Sequence, residues 1–296
     1  MDLTSYLIMM AVSSAVCTLL TVLLVRREEK ARPAAALAIL PLGWVFGFLG
    51  AKLFYIILEF PFIIGQGLGN ILTHTSIEEL SYYGGVAGVT LAACVTGKLA
   101  HVRPVRFLNL FAPAGALMAA LARFAEGFLG MLGLGDYVEN GFFPLALVNE
   151  WDEAYLAVFL FEGCFSLLVM VWAFLHRQEK DGFVRTLFLL CLSQMFFESL
   201  RNQSIAWLFV RCEQLLCFVY VFAVLIAWSL RARKKQHRRW FVPVIIGVVV
   251  ALLTIAEEFA LDKTNISHLI TYACMVLGLA VLAVTEHKVY RWLQAS

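Results

Sequence analysis

Nine apolar runs, at residues 4–25, 34–57, 81–97, 107–127, 153–175, 186–201, 205–230, 241–257 and 266–285, constrain what this chain can fold into. A helix needs about 20 mostly apolar residues to cross the hydrocarbon of a bilayer, and there its backbone has to satisfy its own N–H and C=O groups. The third and sixth runs are short; the others reach or approach that length. With 61% hydrophobic and 15% charged residues, 296 residues have too little polar surface to coat a water-soluble globule. The expected fold is therefore all-α and membrane-integral, with about nine transmembrane helices. Asp2 stands where a signal peptide has a basic region, and the first run is too long for one, so cleavage is not expected.

Basic residues alternate from loop to loop. Eighteen of the 23 Lys and Arg fall at 26–32, 98–106, 177–185, 231–239 and 288–291, all on one side of a nine-span layout. The opposite loops carry acids instead: Glu59, Glu78, Glu79, Asp136, Glu139, Glu150, Asp152, Glu153, Glu257, Glu258 and Asp262. Because basic loops stay cytoplasmic, the N-terminus is expected outside and the C-terminus inside. The net charge of +2 arises from these separate loops and gives no reason to expect a nucleic-acid partner.

Metal chemistry has no visible ligand set. The seven cysteines, Cys17, Cys94, Cys164, Cys191, Cys212, Cys217 and Cys274, lie within spans without CxxC spacing and read as small core residues. His74, His101, His176, His237, His268 and His287 occupy loops or span ends. No metal or other cofactor is expected. The stretches "GWVFG" at 43–47 and "GGVAG" at 84–88 place small residues four apart, the usual spacing for close helix packing.

The informative residues are charges inside the spans: Lys52, Arg123, Glu126, Glu162, Glu198, Arg201, Arg211 and Glu213. At 1.5 Å rise per residue, Arg123 and Glu126 come out about 24 to 28 Å from the basic-loop side, and Glu198 and Arg201 about 18 to 24 Å. Glu162, Arg211 and Glu213 lie about 9 to 14 Å from the other side. Lys52, Arg123 and Arg201 could snorkel to headgroups, but buried carboxylates are costly unless paired. A polar cavity in the outer half of the bilayer accounts for the set together. Arg123 and Glu126, at i and i+3, share a helix face, and Gln194, Glu198 and Arg201 share another. Guanidiniums bind phosphate through a planar fork, and a nearby carboxylate or phenol can move a proton. The residues thus point to an anionic lipid headgroup.

Several stretches, taken in order, resemble the prolipoprotein diacylglyceryl transferases of bacterial inner membranes. "FLGAKLFYIILEF" is similar to that family's G-R-L-G-Y segment, with Lys52 for arginine, and "SYYGGVAG" to its H-G-G-x-x-G segment, with Tyr83 for histidine. "FLNLFAPAGALMAALARFAEGFLG" resembles its D-x-x-A-P to G-R-x-G-N-F-x-N-G-E-x-x-G signature. "AVFLFE" takes the place of P-T-Q-L-Y-E, and "QMFFESLR" that of R-F-x-x-E-F-x-R, with Gln194 for arginine. The resemblance covers residues 1–230 and implies a seven-span core, a basic linker at 231–239 and an appended two-helix hairpin at 240–296. It implies transfer of diacylglycerol from phosphatidylglycerol, or a related anionic phospholipid, to the lipobox cysteine of a lipoprotein precursor at the outer membrane face. Arg123, Glu126, Tyr83 and Glu198 become catalytic candidates; Arg201, Glu162, Gln194, Gly84, Gly85, Gly130 and Lys52 become substrate-binding candidates.

Loss of the histidine and one arginine also fits a relative that binds or transports anionic phospholipid without catalysis. An ion-coupled transporter with Glu162 and Glu213 as a relay lacks repeats or broken-helix signals. The last two spans read as free of charge within their apolar stretches, and residues beyond 230 are expected to be dispensable for the reaction.

Overall fold

The computed structural model describes residues 2–29, 31–60, 76, 79–139, 141–149, 151–201, 206–207, 210–263 and 267–294. Lys30, His74, Glu78 and Glu150 fall outside them. Nine α-helices appear among these residues: α1 Leu3–Val25, α2 Ile39–Leu58, α3 Tyr82–Leu99, α4 Pro104–Glu126, α5 Val158–Leu175, α6 Gly182–Leu200, α7 Cys212–Lys234, α8 Val242–Lys263 and α9 His268–Gln294. Each matches one of the nine apolar runs, and eight are long and apolar enough to cross a membrane. The exception is α3, where Gly84, Gly85, Gly88 and Gly97 dilute the apolar content of an 18-residue helix. The protein is an all-α integral membrane protein.

By contacts the chain forms two compact units, Met1–Thr186 and Leu187–Ser296. This division falls inside the 1–230 core read from the sequence, partway along α6.

In the first unit α2 packs against α3, α4 against α5, and α1 against α4. The α2/α3 contact depends on missing side chains. A Cβ on Gly84 would lie 2.6 Å from the Gly50 carbonyl oxygen, and one on Gly88 would collide with the Phe46 carbonyl. Backbone thus rests on backbone, the close approach that small residues allow between membrane helices. Helix α4 is the central element, burying Phe107, Leu110, Phe111, Ala112, Ala114, Ala116, Ala119, Ala120 and Ala125. Its alanine-rich surface lets neighbours approach on several sides. Cys17, Leu24 and Val25 of α1 join Ala92, Ala93 and Phe107 in a core toward the basic-loop end. At that end the Asn109 amide donates to the Glu179 and Lys180 carbonyls, both at 2.8 Å, tying down the turn between α5 and α6.

Between α4 and α5 a 3-10 turn, Gly127–Gly133, leads to a small sheet whose strands β1 Ala146–Val148 and β2 Ala154–Leu156 pair antiparallel. The second unit contains β3 Ala206–Trp207 and β4 Val210–Arg211, with α7 packed on α8 and α9 and α8 on α9. All seven cysteines are free thiols. Four have the expected core positions, but Cys164 and Cys274 are exposed on helix surfaces, because a thiol is apolar enough to face hydrocarbon as readily as protein.

Candidate functional site

The first unit gathers charge where α1 begins, α2 ends, α3 begins, α4 ends and α5 begins. Local chemistry sets each position. Ser81 caps α3: its hydroxyl accepts from the Gly84 N–H at 3.2 Å, and its own N–H donates to the Ala51 carbonyl at 3.1 Å. The cap places Tyr82 and Tyr83 in the first helical turn. Helix α4 ends at Glu126, with Arg123 one turn earlier. Gly130 then takes φ +68°, a conformation open to glycine and strained for other residues, and turns the chain away. On α5, Gly163 leaves room for the Phe124 ring, so α4 and α5 approach closely beside Glu162.

Arg123 is the centre of this cluster and is buried, with 4% exposure. Its Nη1 pairs with the Glu126 carboxylate, its Nε lies 2.7 Å from Glu162 Oε1, and its guanidinium carbon stands 3.8 Å from the centroid of the Tyr82 ring. Tyr83 lies within electrostatic reach of Arg123, as does Tyr6 of α1. Lys52 is also buried and pairs with Glu79 at 2.6 Å. Arg123 and Lys52 are thus both buried, and each is paired with a carboxylate. Gly84 serves the α2/α3 contact, and Gly85 lies on the same face at ordinary contact distance from Ala51.

The two carboxylates on Arg123 are not equivalent. The Glu162 side chain is 3% exposed and that of Glu126 is 15% exposed. Glu162 is built in, whereas Glu126 can be reached. An apolar groove of about 630 Å³ runs between α1 and α4, lined by Ile8, Met9, Val12, Leu117 and Leu121, and reaches Ser5 and Phe128 near the Glu126 end of α4. Among the described residues, no group of three or more His, Cys, Asp or Glu side chains is placed to hold a metal ion.

The second unit has its own polar cluster. On α6 the Gln194 amide donates to Glu198 at 2.8 Å, and Arg201 Nε lies 3.8 Å from the same carboxylate. Gln194, Glu198 and Arg201 are all buried. Arg211 turns its guanidinium onto the carbonyls of Glu198, Ser199 and Arg201, which end α6. It does not extend outward.

Some participants were not anticipated. The resemblance points to Tyr83, whereas the ring against the Arg123 guanidinium is Tyr82, because the helix start at Ser81 sets which tyrosine faces it. Tyr6 left no signal beyond its place near a span end. The charge pattern places Glu258 in a loop, but α8 continues to Lys263 and Glu258 is buried on it. Helix α8 therefore does carry charge within its span. Hydropathy stops at the first acids, whereas the helix runs on to Lys263, and Ser199 and Gln214 supply partners for the buried carboxylate.

A profile of the prolipoprotein diacylglyceryl transferases matches residues 1–230, across both polar clusters. The chain belongs to this family. It is 25% identical over 201 residues to a phosphatidylglycerol–prolipoprotein diacylglyceryl transferase of Streptococcus equi subsp. zooepidemicus, covering 64% of this chain and 74% of that protein. A transferase of the same name from Lactobacillus delbrueckii subsp. bulgaricus is 25% identical over 215 residues, 67% of this chain and 76% of its own. One from Streptococcus pneumoniae is 23% identical over 220 residues, 70% and 82% respectively. The match ends within α7, so α8 and α9 lie beyond it.

Proposed function

We propose that the protein transfers the diacylglyceryl group of phosphatidylglycerol, or a related anionic phospholipid, to the lipobox cysteine thiol of a lipoprotein precursor. The reaction would occur at the outer face of a bacterial inner membrane, with the N-terminus outside and the C-terminus in the cytoplasm. Family membership and the names of the similar proteins support the reaction class. The observation that carries the mechanism is the buried Arg123 shared between a built-in and a reachable carboxylate.

Glu126 and Glu162 both pair with the one guanidinium, and of the two it is Glu126 that stands open to an incoming thiol. Glu126, the reachable carboxylate, takes the proton of the thiol. The sulfur then forms a bond to the glyceryl carbon as the bond from that carbon to the phosphate oxygen breaks, and glycerol phosphate leaves with the electron pair. Protonating Glu126 removes one counter-charge from Arg123 as negative charge builds on the departing phosphate. A thiol with a pKa near 8.5 needs only modest help from such a base. Glu162 and Tyr82 hold the guanidinium in place, and the α1/α4 groove suits acyl chains. Arg201, with Glu198 and Gln194 beside it, is by itself a substrate-binding candidate of the second unit.

The test is complementation of a bacterial strain depleted of its own diacylglyceryl transferase, with thioether-linked diacylglycerol on a lipoprotein measured by mass spectrometry. Restored growth and modified product are expected. A well-expressed protein that binds phosphatidylglycerol vesicles but yields no thioether would instead support the lipid-binding reading, which the neutral Gln194 and Tyr83 favour.

A further inference from the structure

We infer that Glu258, on a helix beyond the family match, is a positioning residue that fixes the end of α6 and with it Glu198 and Arg201. The final carbonyls of a helix lack intrahelical donors. At the end of α6 those of Glu198, Ser199 and Arg201 are taken by one side chain: Arg211 Nη1 donates to Glu198 and, at 2.6 Å, to Arg201, and Nη2 donates to Ser199 at 3.3 Å. A cation there also complements the negative end of the helix dipole. Arg211 stands on β4, immediately before α7, so its aim depends on what holds that segment.

Glu258 provides the hold. Its Oε2 lies 3.9 Å from Arg211 Nε. Its Oε1 accepts from Gln214 Nε2 at 2.7 Å and from the Ser199 hydroxyl. The same Gln214 Nε2 lies 2.9 Å from the Met195 carbonyl and 2.7 Å from the Ser199 hydroxyl, so its two N–H groups are shared among these acceptors. One carboxylate on α8 thus joins α6, the β4 arginine and the start of α7. With 4% exposure it has no recourse to solvent, so these partners are what make its burial tolerable. Without it, Arg211 loses one carboxylate partner, and the side chain that caps α6 loses part of what aims it. Helix α8 thereby belongs to the site's support.

The activity arm of the test rests on the transferase reading; the structural arm does not. Full-length protein in phosphatidylglycerol nanodiscs is compared with Glu258→Gln, Glu258→Asp, Arg211→Gln and Glu258→Gln/Arg211→Gln. Hydrogen exchange at residues 198–201 and 210–212 is expected to speed up in Glu258→Gln, while peptides from α9 stay protected. Where transfer is measurable, kcat/KM should fall by about 10- to 100-fold, the cost of misplacing binding groups by about an ångström. Glu258→Asp should recover part of the loss. The double variant should lose no more than the worse single variant, because both act through one contact. Unchanged exchange in Glu258→Gln overturns the inference, whether or not the wild type shows transfer. Additive losses overturn it as well, as does a general melting-temperature drop with uniform exchange throughout the second unit.

Discussion

Arg123 pairs with two carboxylates of unequal exposure, and this inequality decides how each partner responds to substitution. Arg123→Lys keeps the charge, but an ammonium cannot offer separate N–H groups to Glu126 and Glu162 while laying a flat face against the Tyr82 ring. The variant is expected to express and insert, yet lose most transfer in the depletion strain; wild-type lipidation would show that only a positive charge is required. Glu126→Gln and Glu162→Gln should separate in opposite ways. Glu126→Gln should still bind phosphatidylglycerol vesicles while transfer falls by roughly 10²-fold, as expected for removal of a general base. Glu162→Gln removes the deeper counter-charge, and breaking a buried pair costs about 3 to 5 kcal/mol. It should therefore appear first as a lower melting temperature in detergent. If Glu126→Gln is the less stable variant and Glu162→Gln the one with selectively lost turnover, the two roles are reversed.

Among the elements, the α2/α3 pair is the most sensitive to small changes because its contact is backbone on backbone. Gly88→Ala puts a methyl into the Phe46 carbonyl and should force the helices apart, displacing Ser81 and the Tyr82 ring that depends on its cap. Gly85→Ala adds a methyl at 3.7 Å from the Ala51 Cβ, ordinary contact, and should fold normally. Fluorescence-detected size exclusion in detergent distinguishes them: a sharp peak for Gly85→Ala and loss of the folded peak for Gly88→Ala are expected, and equal behaviour would remove the packing argument. Sequence spacing had already marked 43–47 and 84–88 as contact stretches. It did not show that the same contact sets the position of the tyrosine facing Arg123, because that follows from the helix start at Ser81.

For the molecule as a whole, the decisive question is where the protein ends functionally. Truncation after Arg239 removes α8 and α9, which pack on α7 in the second unit, and removes Glu258 with them. The truncated protein is expected to fail complementation, contrary to the dispensability expected from the sequence, and full lipidation by residues 1–239 would restore that expectation. The helices were legible in the amino-acid order because crossing hydrocarbon demands a length and polarity that all but α3 meet largely by themselves. The Arg123 and Glu126 pair was legible for the same reason: one helix carries both, and its 3.6-residue period puts them on one face. Tertiary structure alone decided that Glu162 and Tyr82 complete the Arg123 cluster, that Arg211 caps α6 rather than reaching outward, and that Glu258 lies within a span. Each of these depends on partners from another helix, and whether a buried charge is tolerated is a property of the pair, which no single segment contains.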